Sequence, residues 1–360
     1  MKILTGFVYT GNNFRYGKNL RHKLGKILFV KRETGNQEFD KSTSKWDSSE
    51  YNLMIETSSI EKAIDICESI YASHVIISED HIIDPFEFFD CTNLLREHSE
   101  FALYLENAPK IMEKITQTDY DYLYLANVNS LDFKKFDTNL KEYPLVLSTP
   151  FFYDATFCAC KASFRRKFLY ALYKLCLSHV LINVPWTSLG IDRETLPKPS
   201  LKKRYPYNLQ IRILPSLLFA YSAIEELDLH VKREDRANEK GRLTYIDENG
   251  HLLSETRKRI EKRLEKAGIK KDIPIGWMRK GLKTTFLEKQ YYEKVKEKID
   301  VPYALYIAKC LRDLAAHAVT LKSSNEKMIE TISLYEVGNV QNLARLLLLK
   351  SLKFDFRGHC

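Results

Sequence analysis

Glycine and proline are scarce, at 13 and 11 of 360 residues. That excludes a collagen-like chain, a glycine-rich sandwich and a low-complexity linker. Long apolar runs are missing too. A membrane-crossing helix takes roughly 18 or more consecutive apolar residues, and the longest candidates here, 213–224 and 346–349, fall short. The N-terminal stretch turns polar at 10–13 and shows no small-residue cleavage pattern, so no signal peptide and a cytoplasmic location are expected. Paired cysteine motifs are also wanting. The seven cysteines are odd in number and mostly sit inside apolar runs, the pattern of reduced, packed thiols. Cys158 and Cys160 have no second pair or histidine at ligand spacing, and a closed zinc site needs four ligands. No P-loop, dinucleotide fingerprint, nucleophile elbow or HExxH occurs, which removes the ATPase, hydrolase and zinc-protease classes. Asp119, Asp121 and Asp132 sit among residues that read as strand and turn rather than as a carboxylate site. Neither a metal nor a cofactor is expected.

What is present suits a globular chain of two domains. Apolar residues make up 44% and aromatics 12%, enough for a sizeable core. The net charge of +9 favours polyanionic partners. The fold class expected is α+β: a small mixed domain over 1–150, of unknown role, followed by an all-helical domain over 151–360. In the first part, 3–9, 26–31 and 51–56 are β-rich; 58–73 is apolar at helical spacing, with Ser58 or Ser59 as cap; 74–77, 120–125 and 143–147 read as strands. From 154 onward helices dominate: 157–181, 214–231 with Pro215 in the first turn, 254–267 ended by Gly268, 285–299, 301–321 and 334–352.

The segment 301–321 has the strongest chemical pattern. Asp300 is placed to cap it and Pro302 fits the first turn. An apolar stripe through Ala304, Ile307, Ala308, Leu311, Leu314 and Ala315 marks a packed core helix. Beside the stripe runs Arg312-Asp313-Leu314-Ala315-Ala316-His317. Asp313 and His317 share a face, whereas Arg312 lies about 140° round the helix from His317. Arg15 and His22 have a comparable spacing, but in a polar, Gly-containing stretch without helical pattern.

R-D-L-A-A-H resembles the R-x4–6-H motif of the HEPN superfamily, all-helical domains of which many are metal-independent endoribonucleases. A polar residue after the Arg (here Asp313), the late position of the helix and the upstream segment SLLFAYSAIEELDL, with Glu225 and Glu226, add to the likeness. It covers roughly 152–356. The resemblance implies RNA cleavage by attack of the ribose 2′-OH, with His317 as base, Arg312 on the scissile phosphate, Asp313 orienting either group, and Glu225 and Glu226 in support. It further implies a homodimer with a composite site, and a toxin–antitoxin or phage-defence setting with an antitoxin or regulatory protein as partner.

Two basic clusters are candidate RNA contacts: Lys202, Lys203 and Arg204 beside Tyr205 and Tyr207, and Arg257, Arg259 and Arg263 on the 254–267 helix. Interleaved Glu and Lys/Arg on that helix equally describes a solvated face. The rival reading is a non-catalytic helical module for dimerisation or sensing, binding nucleic acid or a protein. No membrane partner is expected.

Overall fold

In a computed structural model of the chain, the described residues are 2–7, 19–29, 39–40, 45–46, 50–78, 82–85, 87–90, 134–135, 144–146, 149–182, 207–277, 299–320, 332 and 334–354. They form two compact units, Met1–Arg165 and Arg166–Cys360.

The first unit contains the strands β1 (Lys2–Phe7), β2 (Asn19–His22), β3 (Gly25–Phe29), β4 (Phe39–Asp40), β5 (Lys45–Trp46), β6 (Glu50–Thr57), β7 (Ile82–Pro85), β8 (Glu87–Asp90), β9 (Lys134–Lys135) and β10 (Pro144–Val146). Its helices are α1 (Ile60–Ser78) and α2 (Thr149–Ser163). Six strands build an antiparallel sheet in the order β2-β3-β6-β1-β8-β9; β7–β10 and β4–β5 are separate antiparallel pairs. Gly25 opens β3 where a Cβ would stand 2.4 Å from the Glu56 carbonyl oxygen, so that strand approach needs glycine. The core joins Leu20, Ile27 and Ile55 of the sheet to Ile66 and Ile70 of α1 and Ala159 of α2.

Three expectations change here. Residues 74–77 are not a strand but the last turn of α1. Val75, Ile76 and Ile77 are fully buried there, and burial outweighs the β-propensity of branched residues. The single helix expected over 157–181 is two helices, broken after Ser163. The Ser163 hydroxyl turns back to donate to the Cys160 carbonyl at 2.7 Å and accepts the Lys23 N–H at 3.0 Å. Because α2 packs along α1, it belongs with the first unit, and the division falls after Arg165 rather than at 150. The 120–125 segment lies outside the described residues.

The second unit holds α3 (Arg166–Leu181), α4 (Tyr207–Glu226), strands β11 (Ala237–Glu239) and β12 (Arg242–Thr244), α5 (Ser254–Lys266), α6 (Val301–Thr320) and α7 (Leu334–Ser351). It is mostly but not wholly helical: β11 and β12 pair as an antiparallel hairpin that no apolar alternation announces. Helix α4 is central, packed against α3, α6 and α7. It starts earlier than expected, so Pro215 lies in its interior rather than its first turn. Where α4 meets α3 and α7, Ser178 and Ser216 exchange hydroxyl-to-carbonyl bonds of 2.7 and 2.8 Å, and Gln341 Nε2 donates to the Ile182 carbonyl at 2.8 Å. Polar side chains thus bridge these buried helices through their hydroxyl and amide N–H groups, while Gln341 Oε1 is buried without a hydrogen bond among the described residues. Gly268, at φ +73°, ends α5, its left-handed backbone closing the helix with the Ile269 N–H on the Leu264 carbonyl. The 285–298 stretch lies outside the described residues. Among the described residues no helix is long and apolar enough to cross a membrane.

Candidate active site

Helix α6 begins as its sequence requires. Asp300 Oδ1 accepts the Tyr303 N–H at 3.0 Å, and Pro302 occupies the first turn, where no N–H is missed. Val301, Ala304, Leu305, Ala308, Leu311 and Ala315 are buried. Lys309, Arg312 and Asp313 recur at i, i+3 and i+4, so they emerge together on one half-buried flank. Lys309 Nζ bonds Asp313 Oδ2, and Arg312 Nη1 donates to Asp313 Oδ1 at 3.1 Å.

Across from this flank, Tyr221 and Glu225 lie one turn apart on α4. Arg312 Nη2 reaches Glu225 Oε1 at 3.3 Å, and its guanidinium carbon lies 5.8 Å from the centre of the Tyr221 ring. Residues 87 positions apart are thereby brought together, the Arg of the R-D-L-A-A-H segment and an acid of the upstream helix. Burial works against charge on Arg312, but the Asp313 hydrogen bond and the two carboxylates outweigh it and hold the guanidinium protonated beyond its ordinary range. Burial raises the Tyr221 phenol, so that ring stays neutral.

These groups open onto a cavity of about 470 Å³. Glu225, Arg312 and Asp313 form part of its lining, and the segment 230–236 supplies another part. That segment is set by the end of α4. Asp228 takes φ +62° and the Leu229 N–H closes on the Ile224 carbonyl, which turns the chain toward the cavity. A 3₁₀ turn, Arg233–Asp235, follows. Tyr245 lines the cavity as well, with the Arg236 guanidinium 5.2 Å and the Lys309 ammonium 5.1 Å from its ring centre. His230 is half-buried in the same lining, its Nδ1 enclosed without a hydrogen bond. Burial depresses its pKa; Glu225 and Asp228 pull it up, while Lys232 and Arg263 push it down. Its imidazole is therefore mostly neutral at pH 7.

The remaining candidates fall elsewhere. Glu226 points away from the cavity and pairs with Lys174 at 2.5 Å. Arg257 bridges Glu261 at 2.9 Å and Asp300 at 2.5 Å. Arg259 donates to the Glu234 and Arg236 carbonyls at 2.5 and 2.9 Å. Arg263 grips the buried Asp235 at 2.7 and 2.5 Å and the His230 carbonyl at 3.1 Å. All three arginines are thus engaged with the fold. Lys202, Lys203 and Arg204 lie outside the described residues, as does the side chain of His317, which belongs by its backbone to α6. His22 of the alternative Arg–His spacing is buried in the first unit, bonded through Nδ1 to the Leu24 N–H at 3.1 Å.

Sequence reasoning did not select Lys309, His230, Arg233, Arg236 or Tyr245. Lys309 was readable from its i, i+3, i+4 relation to Arg312 and Asp313. The dense run His230-Val231-Lys232-Arg233-Glu234-Asp235-Arg236 was a signal for the others, though which of its charges reach the cavity depends on Arg263.

Compared with family models, curated proteins and solved structures, the chain finds no match in any of the three.

Proposed function

We propose that the second unit is a HEPN-type endoribonuclease that cuts RNA without a metal ion. The observation that carries the reading is the 3.3 Å contact between Arg312 and Glu225 on the wall of an open, polar cavity. The Arg312 side chain is 41% exposed, so an incoming phosphate can reach it. In this reading the guanidinium binds the scissile phosphate with its planar fork and stabilises the charge growing on the equatorial oxygens. His317, on the side of α6 that the helical period shares with Asp313, accepts the 2′-OH proton. The 2′ oxygen then bonds phosphorus, the P–O5′ bond breaks, and the 5′ oxygen takes a proton from water. The products are a 2′,3′-cyclic phosphate and a 5′-hydroxyl. A homodimer, in which one copy's imidazole meets the other's guanidinium, resolves the angle of about 140° between the two groups on a single helix.

Incubating the purified protein with RNA in EDTA tests this. The wild type should release 2′,3′-cyclic phosphate ends, and Arg312→Ala and His317→Ala should each cut at least about 100-fold more slowly. No cleavage, or cleavage unchanged in both variants, rejects the reading. One observation favours the rival module: Glu225 and Asp313 already neutralise Arg312. RNA that binds but stays intact selects that rival.

A further inference from the structure

The charges around the cavity are unevenly spent. On the α4 and α6 side, the cations Lys309 and Arg312 face the carboxylates Glu225 and Asp313, and all four are joined by contacts. That side is close to neutral. The 230–236 segment brings Lys232, Arg233 and Arg236 against a single carboxylate, Glu234. Lys232 pairs with Asp228 at 2.7 Å. Arg233 is exposed and has no ion pair among the described residues, and Arg236 meets the Tyr245 ring rather than a carboxylate. The net positive charge of the cavity therefore resides on 232–236.

This wall is held rigid from beneath. Asp235, 1% exposed, takes two hydrogen bonds from Arg263 and a third, at 2.7 Å, from the Lys232 N–H. Thr256 Oγ1 donates to the Asp235 carbonyl at 2.7 Å, and Arg259 holds the carbonyls of Glu234 and Arg236. Pinned by α5, the turn keeps Arg233 and Arg236 at the cavity with their charges unneutralised.

We infer that Arg233 and Arg236 form a second phosphate site in the same cavity as Arg312, and that the cavity takes the backbone of one RNA strand across successive phosphates. That the strand is RNA rests on the ribonuclease reading. A single phosphate would leave one of the two sides unused. A duplex does not suit a concavity of this size, because its bases are stacked inside and its sugar–phosphate surface is convex. Arg259 and Arg263 then act as positioning residues one layer below the strand, and the contacts belong to the arginines they position.

The test uses a fluorescent 12-nucleotide 2′-O-methyl RNA, which lacks the attacking hydroxyl and so reports binding without cleavage. Its affinity is titrated against salt for the full-length wild type and for the double variant Arg233→Gln/Arg236→Gln. Losing two phosphate contacts should weaken binding about 10-fold or more and flatten the log–log salt slope by about 1.4, at ~0.7 per contact on a single strand. Thermal unfolding should shift only slightly, since neither side chain takes part in an ion pair and Arg236 gives up only its contact with the Tyr245 ring. A hairpin duplex of the same chemistry should bind at least about 10-fold more weakly. Unchanged affinity and slope in the double variant, or a duplex held as tightly as the single strand, overturns the inference. A double variant that is largely unfolded at the assay temperature overturns it as well, by making these arginines structural. The ribonuclease reading fails separately: a wild type that binds this probe through Arg233 and Arg236 but cuts no RNA removes the chemistry and leaves the strand site standing.

Discussion

Two arginine–carboxylate pairs in the second unit use the same chemistry to opposite ends. Arg263 and Asp235 are 17% and 1% exposed at the side chain and bond through two short contacts. Arg312 and Glu225 are 41% and 33% exposed and touch through one contact of 3.3 Å. A buried carboxylate that lost its partner would be stranded, because the desolvation of both ions is repaid only by their mutual geometry. A half-exposed pair can exchange one partner for water or for an incoming anion. The first pair therefore fixes backbone, and the second can be borrowed by a ligand. An arginine's identity does not separate these roles; its depth does.

The contrast can be broken at several points. The largest effect belongs to Asp235→Ala, which strands the Arg263 charge and should destabilise the second unit by about 3–5 kcal/mol. Urea unfolding measures it, and a loss below about 1 kcal/mol would make the two pairs equivalent.

Two of the described histidines repeat the comparison. His22 is 4% exposed, and burial brings its pKa down from 6.5 to about 4, whereas His230 stands half-buried at the cavity. A histidine depressed on folding binds more protons in the unfolded chain at acid pH. The stability it permits is therefore complete above pH 6.5 and lost as pH falls through about 4. Acidification across that window should cost the first unit on the order of 2–3 kcal/mol. Hydrogen exchange of β2, β3 and α1 amides reads it, and a profile flat in wild type and in His22→Gln alike would remove the distinction.

Smaller still, Thr256→Val removes one buried hydrogen bond to the Asp235 carbonyl and should cost about 1–2 kcal/mol. The smallest change in stability is expected from Glu225→Gln, within about 0.5 kcal/mol, while affinity for the 12-nucleotide probe rises because Arg312 loses a competing carboxylate. A destabilisation comparable to that of Asp235→Ala would show that the cavity pair is structural as well.

Helix α6 was legible almost to the residue, because its signals are local: the Asp300 cap, Pro302 in the first turn and an apolar stripe that no neighbour had to supply. The end of α5 at Gly268 is of the same kind. The flank bearing Arg312 and Asp313 follows the helical spacing, whereas Glu225 entered only through the resemblance of its segment to the family's upstream helix. Glu226 illustrates the limit. One residue from Glu225, it is equally acidic, yet it pairs with Lys174 because the helix turns by about 100° between them. The C-terminal turn of α1 read as a strand because β-branched residues prefer strands, and only the packing of α2 against it decides otherwise. The break at Ser163 coincides with a bond from Lys23, 140 residues away, which no local window contains.

Sequence alone determined the elements whose start, stop and buried face are encoded within a few turns, together with a surplus of positive charge. Tertiary structure decided which charges are spent and which remain. Arg257, Arg259 and Arg263 look like a free basic stripe in one dimension, but each is engaged by groups from the chain around α5 or from Asp300. Arg233 and Arg236, unremarkable in sequence, keep their charge at the cavity because Asp235 between them is turned inward. The physical reason is that charge is a property of the residue, whereas its availability depends on what long-range folding places within hydrogen-bonding distance.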